Sequence, residues 1–252
     1  MLKKRLIPIM LLSDGRLIKT VNFSGERDTG DPVQAANVYS DQNADELVVL
    51  NISRRERTID PILKLLGELS RNCFMPISIG GGIRSIQDVR VLIKSGADKV
   101  VVNSQAFRNS SLIAEIVSEF GSQALIVSID CMKMGKEWVC FSNCGSERES
   151  VSLSDHLEIS QNAGAGEFLI QSIDNDGAML GLDLDLLRFV LGKVRIPVIG
   201  AGGIGNFHHL LEGYQTEGLD AIAAASIFHF TDSNPLRAKA SLQGHHLNFK
   251  VI

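Results

Sequence analysis

The chain has 252 residues, of which 44% are hydrophobic and 21% are charged, and its 25 Lys and Arg against 29 Asp and Glu give a formal net charge of −4. This balance argues against nucleic-acid binding, which needs a basic surface, and the absence of an apolar run of about 18 residues argues against a membrane span. Four scattered cysteines are typical of thiols in a reducing compartment, so we expect a cytoplasmic protein.

Short apolar runs alternate along the chain with longer amphipathic segments. The eight runs predicted as strands span residues 6–11, 46–52, 76–80, 99–104, 124–130, 167–173, 196–201 and 221–226. Helical periodicity predicts helices at residues 60–72, 85–96, 110–121, 183–193 and 207–218. Because strands that are apolar on both faces and alternate with helices indicate a parallel sheet, the pattern predicts an α/β fold, a (βα)8 TIM barrel, as a single domain over residues 1–252.

The sequence also repeats itself at a nearly constant interval. MPISIGGGI at 75–83 matches IPVIGAGGI at 196–204, and ADELVVLNI at 44–52 matches AGEFLIQSI at 165–173. We therefore expect two similar half-barrels, at about 1–122 and 123–252.

The first predicted strand ends in Leu11, which is apolar, at a position where barrel enzymes usually have a catalytic residue. The segment 13–31 that follows is too long for an ordinary connection between a strand and a helix, so it is predicted to be a lid or binding loop. Within it, Lys19 either meets a phosphate or carboxylate or is an exposed lysine without a role.

Glycines and small polar residues follow the predicted strands three, four, seven and eight. The positions concerned are Gly82, Asn103 with Ser104, Gly203, and Ala225 with Ser226. Since glycines let the backbone approach a ligand and free N–H groups bind anions, they predict two phosphate sites on opposite sides of the barrel mouth. The alternative is that both glycine pairs are packing turns.

Carboxylates end strands five and six. Asp130 lies directly at the predicted mouth, where burial can tune a carboxylate for general acid or base catalysis; the alternative is a structural partner of a loop residue. Asp176 and Gly177 follow strand six and are also a common turn pair. The repeat aligns Asp130 with Leu11, so one of two expected carboxylates is absent.

Charged residues precede four strands at the opposite face, namely Arg5, Glu46, Lys99 and Glu167. By themselves such charges are typical of solvated strand ends. Cys140 and Cys144 have a loosely metal-like spacing, but no second Cys or His pair follows nearby, and the histidines show no ligand-like spacing. We therefore expect no metal, and nothing in the sequence indicates a cofactor.

Taken together, the motifs resemble the cyclase subunit of imidazole glycerol phosphate synthase, a histidine-biosynthesis barrel. The matching pieces are KKRLIP at 3–8, DGR at 14–16, GDP at 30–32, ADEL at 44–47, GGGI at 80–83, GADKV at 96–100, FGSQ at 120–123, SIDNDG at 172–177 and AASIFHF at 224–230. The resemblance implies a barrel that forms a heterodimer with a glutaminase subunit on its N-terminal face and receives ammonia through the barrel. It also implies a bis-phosphorylated ribulosyl aminoimidazole carboxamide as the substrate, which is converted to imidazole glycerol phosphate.

The resemblance implies residue roles as well. One phosphate would be held by Gly82, Asn103 and Ser104, and the other by Asp176, Gly177, Gly203, Ala225 and Ser226. The ammonia entrance would be the ring of Arg5, Glu46, Lys99 and Glu167, and Asp98 would face the glutaminase.

The departures from the family pattern bear on activity. The family's two catalytic carboxylates fall at positions 11 and 130, and only Asp130 is present. Asn51 stands where a carboxylate is usual, and Ala201 where a small polar residue is usual. Two alternatives therefore stay open: a paralogue that supplies ammonia to a nucleotide-sugar amidotransferase of surface-polysaccharide biosynthesis, and a non-catalytic phosphate-binding scaffold. The related phosphoribosyl isomerase barrel is disfavoured because it has no use for the entrance charges.

Overall fold

The computed structural model describes residues 3–53, 57–245 and 247–250. The strands within these ranges are β1 (Arg5–Ser13), β2 (Arg16–Val21), β3 (Ser24–Gly30), β4 (Leu47–Asn51), β5 (Ile77–Gly80), β6 (Lys99–Val102), β7 (Leu125–Met134), β8 (Glu137–Ser142), β9 (Glu147–Ser152), β10 (Glu167–Ser172), β11 (Val198–Ala201) and β12 (Ala221–Ala224). The helices are α1 (Pro32–Asp41), α2 (Asp60–Asn72), α3 (Ile86–Lys94), α4 (Ser104–Arg108), α5 (Ser111–Phe120), α6 (Leu153–Asn162), α7 (Leu184–Leu191), α8 (Phe207–Gln215), α9 (Ser226–His229) and α10 (Pro235–Gln243).

Eight of the strands form a closed parallel barrel. Strands β1, β4, β5, β6 and β7 pair in that order, β10, β11 and β12 continue the sheet on the other side of β1, and the pairing of β10 with β7 closes the ring. All eight are the predicted strands, so the predicted (βα)8 TIM barrel is confirmed.

Alternation along strand β1 shows why its apolar run folds this way. Ile7, Ile9 and Leu11 belong to the apolar cluster that fills the barrel interior. Leu6, Met10 and Leu12 belong to the cluster between the barrel and the surrounding helices. Because successive side chains of a strand point to opposite faces, a strand buried on both faces reads as one continuous apolar run.

Polar side chains begin several helices at the predicted places. Ser85 accepts a hydrogen bond from the backbone N–H of Asp88, whose side chain accepts in return from the N–H of Ser85, and Asp183 caps helix α7. These caps satisfy N–H groups that the first helical turn leaves without partners. No helix in the described part of the chain is long and apolar enough to cross a membrane.

The segment 13–31, predicted as a loop, is mostly strand. Strand β2 pairs antiparallel with β1 and with β3, and Asn22 and Phe23 form the turn between β2 and β3 with φ angles of 48° and 59°. A second hairpin that the sequence analysis did not predict, β8–β9, follows β7. Both hairpins extend from the carboxyl ends of barrel strands and therefore stand beside the barrel mouth.

Candidate active site

The carboxyl ends of the barrel strands surround a cavity of about 480 Å³. Leu11, Leu50 and Val101 give it apolar walls, and Phe23 of the β2–β3 hairpin also lines it. The polar side chains at its surface include Asn51, Asn103, Ser104, Ser128, Asp130, Asn143, Gln171 and three arginines described below.

Asp130 is the buried carboxylate of this cavity. It lies on β7 with 8% of its surface exposed, and Asn103 Nδ2 donates a hydrogen bond of 2.8 Å to its Oδ2. Burial, and after it the charge of Asp176, raise the pKa of Asp130 to about 7, although the hydrogen bond from Asn103 opposes both effects. A carboxyl group with a pKa near neutrality can both accept and donate a proton at physiological pH, which suits a general acid or base.

Leu11 also lines this cavity, and it is 7% exposed. It packs in the barrel interior with residues such as Ile9 and Ile18. At the end of β4, the amide group of Asn51 donates to the carbonyl of Thr58 and accepts from the N–H of Ser53, so it holds the turn after that strand. Among the described residues, the large cavity therefore has one buried carboxylate, Asp130, with an apolar wall at Leu11.

The residues of the first predicted phosphate site, Gly82, Asn103 and Ser104, all line the large cavity. Gly82 has φ of +84°, and a Cβ there would lie 2.4 Å from the carbonyl oxygen of Thr58, so the packing of its loop already requires glycine. The hydroxyl of Ser104 accepts a hydrogen bond from the N–H of Asn143.

Three arginines that the sequence analysis did not single out, Arg57, Arg84 and Arg108, line the same cavity. They follow the ends of β4, β5 and β6, so a search for cations in the loops after neighbouring strands would have found them. Arg108 forms an ion pair with Glu147.

The residues of the second predicted phosphate site surround a separate and much smaller cleft. Asp176, Gly177, Gly203, Ala225 and Ser226 line a space of about 20 Å³, together with Lys19. That volume is close to what a single water molecule needs.

Lys19 closes this cleft through a buried ion pair. Its Nζ lies 2.9 Å from each carboxylate oxygen of Asp176, and the two side chains are 2% and 6% exposed. Thr20 Oγ1 and Gln171 Nε2 also donate to the same carboxylate. Of the alternatives for Lys19, the structure therefore shows contact with a carboxylate.

Asn22 fixes the β2–β3 hairpin over the loop that follows β10. Its Nδ2 lies 3.0 Å from the carbonyl oxygen of Ile173 and 2.6 Å from that of Asp174, and its N–H donates to the carbonyl of Asp176. The hairpin is thereby held across the mouth of the barrel.

The four charged residues at the opposite end of the barrel form one hydrogen-bonded ring. Arg5 pairs with Glu46 at 2.7 Å and with Glu167, and Lys99 Nζ lies 2.9 Å from Glu46 and 3.3 Å from Glu167. Burial opposes ionisation of Arg5, but Glu167 and then Glu46 outweigh it and raise the Arg5 pKa. Burial likewise favours neutral Glu46, but Arg5 and Lys99 outweigh it and lower the Glu46 pKa. The interpretation of these charges as separate solvated strand ends is therefore wrong.

Asp98 lies next to the ring at the same end of the barrel. It is exposed, and its Oδ2 accepts a hydrogen bond of 2.8 Å from the N–H of Ile77 at the start of β5. No group of His, Cys, Asp or Glu side chains within the described ranges could hold a metal ion.

A family model with the description "Histidine biosynthesis protein" matches residues 5–234, a span that includes all eight barrel strands, the charged ring and the residues named above at the barrel mouth.

Proposed function

The chain belongs to the histidine biosynthesis protein family, a family of enzymatic isomerase and cyclase barrels, and we propose that within it the chain is of the cyclase type and receives ammonia from a glutaminase subunit. In this proposal the glutaminase docks on the N-terminal face, where Asp98 lies, and ammonia enters through the ring of Arg5, Glu46, Lys99 and Glu167. The reaction of the type is conversion of a bis-phosphorylated ribulosyl aminoimidazole carboxamide to imidazole glycerol phosphate.

The ring is the observation that carries the proposal. Two cations and two anions are largely removed from water at the axis of the barrel, and such an arrangement costs desolvation energy unless every charge is paired. An isomerase barrel that acts alone on one substrate has no use for such a ring. An apolar interior lies above it, lined by residues such as Ile7, Val48 and Leu169, and such an interior excludes charged ammonium far more strongly than neutral ammonia.

Asp130 supports the same reaction type at the mouth. Its raised pKa suits proton transfer to or from a nitrogen nucleophile or a leaving group. Because Leu11 cannot exchange a proton, the proposal includes a low intrinsic rate: loss of one group of an acid/base pair commonly costs about 10² to 10⁴ in rate.

A Leu11→Asp variant tests whether the missing proton-transfer group at position 11 limits the rate. With the bis-phosphate substrate and ammonium salt, we expect kcat to rise at least about 100-fold over the unmodified protein, because a second proton-transfer group is then present. Leu11→Asn is the matched control, since it introduces a side chain of the same size that does not ionise. Equal kcat in the unmodified and Leu11→Asp proteins would refute the role assigned to position 11.

A second candidate function is supply of ammonia to another amidotransfer, such as that of a nucleotide-sugar amidotransferase. The specific observation in its favour is a contrast between the two ends of the barrel. One end has a complete charged ring, whereas the large cavity at the other has, among the described residues, only one buried carboxylate, Asp130. Under this candidate neither the unmodified protein nor Leu11→Asp turns over the bis-phosphate, although a glutaminase still binds. A non-catalytic scaffold predicts neither turnover nor glutaminase binding.

A further inference from the structure

Phe74 is the most exposed large apolar side chain in the described part of the chain. Its exposed fraction is 93%, against 80% for Leu180 and 48% for Val38, the next in order. An aromatic ring left in water forgoes the hydrophobic stabilisation that it would gain in a pocket, and aromatic residues are enriched at the energetic centres of protein interfaces. Because single exposed apolar residues are common, the position of Phe74 decides what its exposure means.

Phe74 stands at the edge of the charged ring. It lies in the loop between α2 and β5, at the amino-terminal end of the barrel, and β5 lies between β4 and β6 in the sheet. Glu46 directly precedes β4 and Lys99 begins β6, and these two ring residues pair at 2.9 Å. The loop that carries Phe74 therefore lies beside the Glu46–Lys99 side of the ring.

The backbone on the carboxyl-terminal side of Phe74 is fastened to both neighbouring strands. The carbonyl of Pro76 accepts a hydrogen bond of 2.9 Å from the N–H of Leu47, and the N–H of Ile77 donates to Asp98 Oδ2 at 2.8 Å. Proline also fixes its own φ angle. The side chain of Phe74 is thus presented to solvent by an ordered backbone, so a partner that binds it loses little free energy in ordering the loop.

From this position we infer that Phe74 anchors the glutaminase on the amino-terminal face by filling an apolar pocket of the glutaminase surface. The inference rests on the proposed function, in which a glutaminase covers the ring. Ammonia is protonated in water, so the glutaminase has to exclude water up to the edge of the ring, and a partner that does so on the Glu46–Lys99 side also covers Phe74.

The same contact selects among glutaminases. A partner with a charged group opposite Phe74 would have to remove that group from water against an aromatic ring that cannot pair with it. A partner with an apolar pocket gains the burial of the ring instead. Phe74 therefore specifies the shape and polarity of the glutaminase surface, and Asp98 beside it adds a charge.

Titration calorimetry with each glutaminase subunit of the imidazole glycerol phosphate synthase type from the source organism tests the inference. We expect Phe74→Ala to weaken the complex on the order of 10- to 100-fold, because a buried phenyl group is lost from the interface. Leu180→Ala is the matched control, since it removes a similarly exposed apolar side chain from the loop after β10, at the opposite end of the barrel. Neither variant should lower the melting temperature, because both side chains are in water in the free chain.

Phe74→Trp tests the pocket itself. The larger aromatic ring should keep the dissociation constant within about tenfold of the unmodified value. Its emission should shift to shorter wavelength when the glutaminase is added, after the same titration of the unmodified chain, whose single tryptophan is Trp138, is subtracted.

The inference is overturned if Phe74→Ala binds within about threefold of the unmodified chain, if Leu180→Ala weakens binding as much, or if the Phe74→Trp emission does not shift. It is also overturned if the chain alone forms a dimer that Phe74→Ala dissociates, since the occupant is then a second copy. A complex that forms but is insensitive to Phe74 refutes this inference alone, whereas absence of any complex also refutes the docking in the proposed function.

Discussion

At Asp130 a carboxylate sits on the inner side of strand β7 with Asn103 as its hydrogen-bond donor. Burial raises its pKa to about 7, against a usual value of 3.8, so the folded state holds the proton more tightly than the unfolded chain does. A group of this kind contributes stability that is fully present below pH 4 and is lost as pH rises toward 7. Ionised Asp130 is therefore a destabilising element at neutral and alkaline pH.

The Asp130→Asn variant should show this directly. At pH 8 we expect it to unfold with a free energy higher by roughly 2–4 kcal/mol, because the buried charge is gone, and at pH 4 we expect no gain. Denaturant unfolding at the two pH values measures the difference, and Asp174→Asn, at an exposed side chain, serves as the control. A gain of equal size at both pH values would contradict the assigned pKa.

Individual site residues could be predicted from the sequence where their position relative to a strand determines that they lie at the barrel mouth. Asp130 lies in the carboxyl-terminal half of β7, and Gly82 and Ser226 follow β5 and β12, so their place at the mouth follows from the barrel alone. The pairing of Lys19 with Asp176 could not be read in this way, because it depends on how a hairpin folds back over the mouth. Arg84 was missed because exposed arginines are common and only the cavity distinguishes this one.

Among the elements, the β2–β3 hairpin has the most direct bearing on the site. Its turn places two non-glycine residues, Asn22 and Phe23, at positive φ, a conformation that costs energy for Phe in particular. Two hydrogen bonds from the Asn22 side chain to the loop after β10 offset part of this conformational energy. The hairpin is thus held in place by a small number of polar contacts.

Asn22→Gly isolates those contacts, since glycine keeps the positive φ and the backbone N–H but loses the side-chain amide. Two lost hydrogen bonds at about 1 kcal/mol each should speed amide hydrogen exchange in residues 16–30 by roughly tenfold or more, with little change in the helices. Exchange measured by mass spectrometry checks this, with Asn43→Gly, another positive-φ asparagine outside the hairpin, as control. Unchanged exchange in 16–30 would show that other contacts hold the hairpin.

Elements with strong apolar periodicity were predicted, and those without it were missed. All eight barrel strands and helices α2, α3, α5, α7 and α8 were found from their patterns. Helices α1 and α10 were missed although each begins with a capping residue followed by proline, Asp31–Pro32 and Asn234–Pro235. Strand β9, ERESVS, is polar and mostly exposed, so only its pairing with β8 reveals it.

At the scale of the whole molecule, the proposed function assigns docking of the glutaminase to one end of the barrel and the reaction to the other. The charged ring and exposed Asp98 lie at the amino-terminal end, and Asp130 lies at the other. Residues related by the repeat adopt similar backbone conformations, with φ of +92° and +84° at Gly81 and Gly82, and +94° and +102° at Gly202 and Gly203. The division into two half-barrels stays a prediction.

Docking of a glutaminase should depend on the amino-terminal end. With the glutaminase subunit of an imidazole glycerol phosphate synthase, we expect a 1:1 complex in sedimentation velocity that Asp98→Asn weakens by about tenfold, since the variant keeps an acceptor for the Ile77 N–H but loses the charge. Glu26→Gln at the mouth is the control. Equal affinity of the Asp98→Asn variant would remove Asp98 from the proposed interface, and absence of any complex would count against the docking itself.

The ion pair between Lys19 and Asp176 can form only late in translation. Its two residues are 157 positions apart. At about 5–20 residues per second, a ribosome adds the carboxylate roughly 8–30 s after the lysine. During that interval Lys19 lacks its partner Asp176, and the β2–β3 hairpin lacks the loop after β10 to which it hydrogen-bonds. The mouth of the barrel is therefore completed only after most of the chain has emerged.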